Sequence, residues 1–380
     1  MKILYLTTGV SIGGAELMLY HLLSKINRNR FSPVVLSLMG RDTVGDRIES
    51  LGIPVEHIGL EPGKVPSLKA LSSLINTVNT LKPDLIQGWM YHGNIAAKLA
   101  SSFYYYKIPL LWSIHHSVYS LSSENKMTAS LIRSGAIISK FIQGICFVSN
   151  QSKLQHEALG YSSQNSCVIP NGFDTSLFKP SLEARAAFRS ELGLSEQSVL
   201  IGLIGRYHPM KDHPNFIRAA SLLVKEFPDV HFIMVGTEVD QDNKFLSSLI
   251  QDLGLSNHIH LLGERSDIPR LTAALDINTL ASAYGEAFPL VIGEAMSSCV
   301  PCVVTDVGDS AWIVGNTGRV VPPRNSEALA RAWKELILMG NEGRKALGKA
   351  ARSRIIDSFS INSVVAQYES LYELILSQYL

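Results

Sequence analysis

The chain has 380 residues, 46% of them hydrophobic, and sets 34 lysines and arginines against 33 aspartates and glutamates. That length exceeds one ordinary core and favours two domains, and a net charge of +1 supplies no electrostatic footprint for bulk nucleic-acid binding. No uninterrupted apolar run reaches the roughly 18 residues of a membrane-spanning helix, so none is expected.

The start, "MKILYLTTGVSIGGAE", carries too short an apolar run for a signal peptide, and a cytoplasmic protein is expected. "KILYLTT" (2–8) reads as a buried strand, "GAELMLYHLLSKI" (14–26) as a helix and "FSPVVLSLM" (31–39) as the next strand. The turn between the first two holds Gly9, Gly13 and Gly14, which do not match the dinucleotide fingerprint, and no Lys-Ser/Thr pair follows as in a P-loop. It is either a tight strand-to-helix turn or a glycine loop whose backbone can approach a ligand.

"DLIQGWM" (84–90), "LLWSIHH" (110–116) and "GICFVSN" (144–150) continue the series of strands, separated by helical stretches. His115 and His116 close the second of these; only one of two adjacent strand residues can face a ligand, where it could hydrogen-bond a sugar or act as a base. "SSFYYYKIPLLW" (101–112) and "AIISKFIQGICFV" (136–148) mix aromatic and basic residues, which suits a membrane surface as well as a packed core.

"VIPNGFDTSLFKP" (168–180), with its Asn-Gly turn pair between prolines, marks the boundary between halves. A second series follows: "VLIGLIGR" (199–206), "VHFIMVG" (230–236), "IHLLG" (259–263), "DINTLA" (276–281) and "PCVVTD" (301–306). The α/β alternation predicts two doubly wound parallel sheets with a cleft between them, ligands sitting beyond the strands' carboxyl ends. There the sequence delivers Arg206 and Lys211, a candidate diphosphate clamp if they are not simply solvated charges.

"YGEAFPLVIGEAM" (284–296) places Glu286 in a loop and Glu294 inside the helix that Pro289 opens. The free N–H groups around Leu290 and Val291 would point back toward Glu286 and invite an anion. "CVPC" (299–302) has redox or zinc spacing, but the remaining two of the four cysteines are scattered, so packing is the expectation and no metal is assigned. "SINSVVAQYESLYELILSQYL" (360–380) has helical periodicity and either packs locally or crosses back to the first half.

The segments "GGAE" (13–16), "SIHH" (113–116), "PNGFD" (170–174), "GRYHPMKDH" (205–213) and above all "EAFPLVIGEAMSSCVPCVVTDVG" (286–308) together resemble the retaining glycosyltransferases of the GT-B fold, glycosyltransferase family 4. The resemblance implies an acceptor-binding domain over 1–172, a nucleotide-sugar-binding domain over 173–360 and a helix over 361–380. In it Glu294 holds the donor's ribose, Arg206 and Lys211 neutralise the departing diphosphate, and Glu286 with the backbone of Ala287, Phe288, Pro289, Leu290 and Val291 contacts sugar and phosphates. His115 lies near the sugar, Gly13 and Gly14 give backbone access, and the loop around Arg265 lies beside the base.

The activity so implied is metal-independent, cofactor-free retaining transfer from a nucleotide-diphosphate sugar, UDP-linked for preference, to a saccharide or lipid-linked saccharide of a surface polysaccharide or glycolipid. Peripheral contact with the inner membrane surface is part of that expectation. The rival readings are an epimerase or phosphorylase on the same fold and a catalytically silent sugar-nucleotide-binding scaffold. Two departures from the family pattern stand out: cysteines replace the usual glycine-valine pair near Ser298–Cys302, and "VGDS" (307–310) keeps a single glycine.

Overall fold

The computed structural model describes residues 1–379 apart from 62, 64, 65, 105 and 106. It divides into one unit made of Met1–Gly172 with Ile361–Leu380 and another made of Phe173–Ser360.

The first unit holds β1 (Lys2–Thr7), β2 (Ser32–Ser37), β3 (Val55–His57), β4 (Leu85–Trp89), β5 (Leu110–Ile114), β6 (Gly144–Phe147) and β7 (Ser166–Val168). Their order is β3-β2-β1-β4-β5-β6-β7, parallel throughout. Helices cover both faces of such a sheet, which is why its central strands read as unbroken apolar runs and not as alternation. The strands found in the sequence are each trimmed at the carboxyl end, so His115 and His116 lie just past β5. β3 and β7, three residues each, carry too little pattern to be read and sit at the two edges.

The helix Ile361–Ser377 belongs to this unit. Val364, Val365, Tyr368, Tyr372 and Ile375, at helical spacing, enter the core with Tyr5, Trp89 and Leu111. Tyr372 Oη donates to Gln87 Oε1 at 2.7 Å and receives Tyr5 Oη at 3.0 Å, while Gln87 Nε2 donates to Ser113 Oγ at 2.6 Å. The buried polar groups of β1, β4, β5 and this helix thereby satisfy one another.

The second unit holds β8 (Val199–Ile204), β9 (Val230–Val235), β10 (Ile259–Leu261), β11 (Ile277–Leu280), β12 (Cys302–Thr305) and β13 (Arg319–Val321), ordered β10-β9-β8-β11-β12-β13 and again parallel. β13 is a third edge strand that sequence reading misses. In both sheets the order reverses beside the first strand, at β1/β4 and β8/β11, and loops after those strands are where ligands of doubly wound sheets bind. Of the "CVPC" cysteines, Cys302 is buried in β12, its thiol pushed up to about 12 by burial, and Cys299 is half-buried; all four cysteines are free thiols.

Candidate active site

In the second unit the loops after β8, β11 and β12 are stitched together by backbone. Ala283 N donates to Met210 O at 2.8 Å, and Asp309 N donates to Ala287 O at 3.0 Å. Gly308 (φ +61°) passes so close that a Cβ there would collide with Glu286 O. The lone glycine of "VGDS" is thus the one that lets the β12 loop press on the β11 loop.

Lys211 ends a 3₁₀ turn, Pro209–Lys211, and Asp212 (φ +49°) then starts the helix His213–Leu223. Buried His213 holds the loop's other end, its Nε2 donating to Gly205 O at 3.3 Å; burial lowers its pKa to about 4, so the ring is neutral. With the loop so fixed, Lys211 Nζ donates to Glu286 Oε1 at 2.7 Å and Ser282 Oγ donates to the same oxygen at 2.6 Å. Ser282 is in turn held by Thr305 Oγ1, which donates to its carbonyl at 2.7 Å. Glu286 Oε2 has no partner among the described residues. Arg206, directly past β8, is exposed and has no ion-pair partner among the described residues.

The helix after this loop runs Leu290–Ser297, with Pro289 as its N-cap and no side-chain cap. Proline thus stands one position outside the first turn, and the N–H groups of Leu290 and Val291 find no acceptor among the described residues. Phe288 turns its ring into the packing, 6.0 Å from the Phe173 ring and 5.6 Å from Phe359, so only its backbone is available to a ligand. Glu294, half-buried on this helix, has no hydrogen-bond or ion-pair partner among the described residues, and burial raises its carboxyl to about 7.

Arg265 is fully engaged. It makes a fork of two 2.8 Å bonds to Asp267 and a third bond, 3.1 Å, to Glu191. Its guanidinium is a brace for the loop after β10.

In the first unit Gly13 is extended and caps the helix Gly14–Lys25 without a side chain. Glu16 folds over that start, its Oε2 lying where a Gly13 Cβ would stand, so a larger residue at 13 would make the Glu16 side chain swing aside. His115 stacks on Trp89 with centroids 4.4 Å apart. Burial is the main cause that lowers its pKa to about 4, with Asn171 acting in the opposite direction. His116 turns away, Nε2 donating to Glu124 Oε1 at 3.0 Å.

Of the residues singled out in the sequence, the second unit brings Lys211, Glu286 and the Leu290–Val291 helix start together around one loop, with Arg206 on the connection that carries Lys211. His115, Gly13 and Gly14 belong to the first unit. Ser282, Thr305 and His213 escape sequence reading; a hydroxyl four residues before Glu286 was the only available signal.

Two doubly wound parallel sheets of this order, with a cation–carboxylate pair beyond the strands of the second, define the GT-B class of glycosyltransferases. The chain belongs to the family 4 group within it: residues 12–177 match the model Glycosyltransferase Family 4 and residues 184–354 match Glycosyl transferases group 1. It is 26% identical, over 87% of this chain and 85% of the relative, to the UDP-Gal:alpha-D-GlcNAc-diphosphoundecaprenol alpha-1,3-galactosyltransferase of Escherichia coli. Among solved structures it is similar to HepE of Anabaena in complex with UDP, with a TM-score of 0.86 and 26% identity over 98% of this chain and 100% of that one. The UDP-glucose complex of the same Anabaena protein gives 0.81 and 26% over 97% and 99%. No helix among the described residues is long and apolar enough to cross a membrane.

Proposed function

We propose that the protein is a retaining, metal-independent glycosyltransferase that moves a sugar from a UDP-sugar to a saccharide or lipid-linked saccharide acceptor, in the building of a surface polysaccharide or glycolipid. The observation that carries the reading is the Lys211–Glu286 pair, 2.7 Å, beside the uncapped start of the Leu290–Ser297 helix. The similarity to UDP and UDP-glucose complexes of HepE supports the choice of donor, and the lipid-linked substrate in the E. coli relative's name supports the choice of acceptor.

The chemistry follows from where charge develops. Cleaving a sugar–diphosphate bond builds negative charge on the leaving phosphate, and fixed cations and backbone N–H groups stabilise it without reorganising. Lys211, Arg206 and the N–H groups of Leu290 and Val291 take that role. Glu286 Oε2 accepts a hydroxyl of the transferred sugar, while two bonds on Oε1 damp its nucleophilicity; that favours departure and attack on one face of the sugar over a covalent glycosyl-enzyme. Glu294 accepts from ribose hydroxyls, neutral His115 hydrogen-bonds the sugar, the 13–14 backbone approaches the donor, and the loop carrying Arg265 meets the base. In this reading the second unit binds the donor and the first binds the acceptor.

The test is a panel of UDP-, GDP- and ADP-sugars in the presence of EDTA, read for binding, slow hydrolysis and the anomeric configuration of any transfer product, with Glu294→Ala alongside. One tight, EDTA-resistant UDP-sugar whose binding falls in Glu294→Ala, with retained configuration in the product, is expected. Inverted product or EDTA-sensitive turnover overturns the mechanism. Donor binding with no hydrolysis or transfer to any acceptor leaves a silent binder, and interconversion of two UDP-sugars identifies an epimerase.

A further inference from the structure

The second unit holds a cavity of about 900 Å³ at the end of its sheet away from Glu286. It lies beside the amino ends of β8, β11 and β12, between the helix Leu182–Glu191 and the start of the helix Gly340–Phe359. Ser298, Cys299 and Val300, which follow directly on the Leu290–Ser297 helix, are part of its lining, so it stands at the opposite end of that helix from the Glu286 loop. None of its lining residues belongs to the loops after β8, β11 and β12.

The charges around this cavity do not balance. Asp276, 8% exposed, stands just ahead of β11. Its Oδ1 accepts from Arg185 Nη2 at 2.9 Å, and its Oδ2 accepts from Arg189 Nη1 at 3.2 Å and Leu200 N at 2.8 Å. One carboxylate thus serves two guanidinium groups, and Arg189 is buried. A third, Arg344, lines the cavity; its Nη1 donates to Leu336 O and Ile337 O, while its Nε is buried with no hydrogen-bond partner among the described residues. Burial is the main cause that lowers the pKa of both Arg189 and Arg344, with Asp276 acting against it and Arg185 adding to it. Lys345 is answered by Glu342 on its own helix at 3.0 Å, and Glu196, 61% exposed, is 3.9 Å from Arg185 Nε, where water screens it. Three guanidinium charges against the one buried carboxylate leave an excess of two. Charge buried without a counter-ion is costly.

We infer that this cavity binds a small organic phosphate monoester, its phosphate held by Arg185 and Arg344 and its apolar body lying against Leu275, Val300 and Ile337 of the lining. The excess of positive charge matches a phosphate monoester, which carries close to two negative charges near neutral pH, and guanidinium forks suit phosphate oxygens. Such an occupant gives the orphaned Arg344 Nε–H an acceptor. A carboxylate would leave half of the excess unanswered, and a neutral ligand all of it. The volume admits a ring-bearing ester, since ligand cavities run from about 300 to 1,000 Å³. The inference stands on the second unit alone and does not depend on the catalytic reading.

Phenyl phosphate is the probe, titrated calorimetrically into the full chain with UDP held at saturation, and benzoate is the comparison. Cys299 reports the location. It is a half-buried free thiol in the lining, and Cys167, half-buried in β7 of the first unit, is the internal reference. With phenyl phosphate at roughly ten times its Kd, maleimide labelling of Cys299 read by mass spectrometry should slow about tenfold, with Cys167 unaffected. Benzoate should act only at much higher concentration. Arg344→Gln should weaken phenyl phosphate binding by about tenfold to a hundredfold. Ala186→Trp, at an exposed lining position, should abolish binding by filling the cavity without altering any charge, and it answers the question even where loss of Arg344 disturbs the fold. Melting temperature and UDP binding are expected to stay near wild type in Ala186→Trp. Absence of binding, binding that leaves Cys299 unprotected, benzoate as effective as phenyl phosphate, or undiminished binding in Ala186→Trp each overturns the inference.

Discussion

Lys211 Nζ and Glu286 Oε1 lie 2.7 Å apart although 75 positions separate them in the chain. The lysine side chain is 17% exposed and the glutamate 9%, so neither charge is well hydrated. Removing one partner of such a pair strands the other, which costs more than the pair contributes. Lys211→Ala should therefore lower stability by about 2–4 kcal/mol and cut kcat by roughly 100-fold or more. Adding Glu286→Gln should recover most of the stability and none of the activity. Denaturant melts and single-turnover assays of the two variants check this, and a double variant no more stable than Lys211→Ala would refute the burial argument.

Glu294 gives the second unit a pH signature. Its carboxyl titrates near 7 in the fold against 4.5 when exposed, so between those values the folded state holds a proton that the unfolded state has lost. Stability from this group is complete below about 4.5 and falls as pH rises toward 7. Glu294→Gln should match wild type at low pH and exceed it by on the order of 2 kcal/mol above neutrality. It should also weaken UDP binding by about tenfold to a hundredfold through the lost charged acceptor. Urea midpoints at several pH values, with titration of UDP, give both numbers.

Gly308→Ala tests the contact between the β12 and β11 loops. The new methyl would collide with Glu286 O on a residue with φ +61°, so the loop must move or strain. A shift near 1 Å at Glu286 should cost about 100-fold in kcat, with donor binding less affected. Unchanged kcat would show that the loop position is not critical.

Tyr372→Phe addresses the first unit. It removes the donor to Gln87 Oε1, leaving that buried oxygen unpaired, and deprives Tyr5 Oη of its acceptor. A loss of about 1–3 kcal/mol is expected, visible in chemical denaturation, with kcat at saturating substrates unaltered.

The central strands were legible because parallel strands buried on both faces leave apolar runs such as "ILYL" and "LIGLI", which survive without any tertiary knowledge. β3, β7 and β13 were not, since "VEH", "SCV" and "RVV" are too short and too mixed to stand out, whereas the equally short edge strand β10 was read because "IHLLG" prolongs its apolar run. In the site, Arg206, Lys211 and Glu286 could be named from their place after strands, but the bond between Lys211 and Glu286 depends on how β8 and β11 pair. The local pattern Arg265–Asp267 was in plain view, yet nothing in it shows that Glu191, 74 positions upstream, takes the remaining guanidinium edge. Segment 136–148 was read as suited to a membrane surface or a packed core, and composition alone does not show where in it the exposed Ile137 and Phe141 give way to the buried Ile142 and Ile145–Val148. Tyr105 and Tyr106 of the other segment, 101–112, lie outside the described residues, and its Leu110–Trp112 are core.

The Ile361–Ser377 helix has a consequence for the order of biosynthesis. Tyr5 and Tyr372 touch across 367 positions, with the whole of the second unit encoded between the first unit's sheet and the helix that closes it. At roughly 5–20 residues per second, that interval lasts about 10–40 s on the ribosome. Throughout it the pocket around Tyr5, Trp89 and Leu111 lacks its cover and offers a binding site to chaperones or to neighbouring nascent chains. The N-terminal half of this protein is thus translated first and finished last.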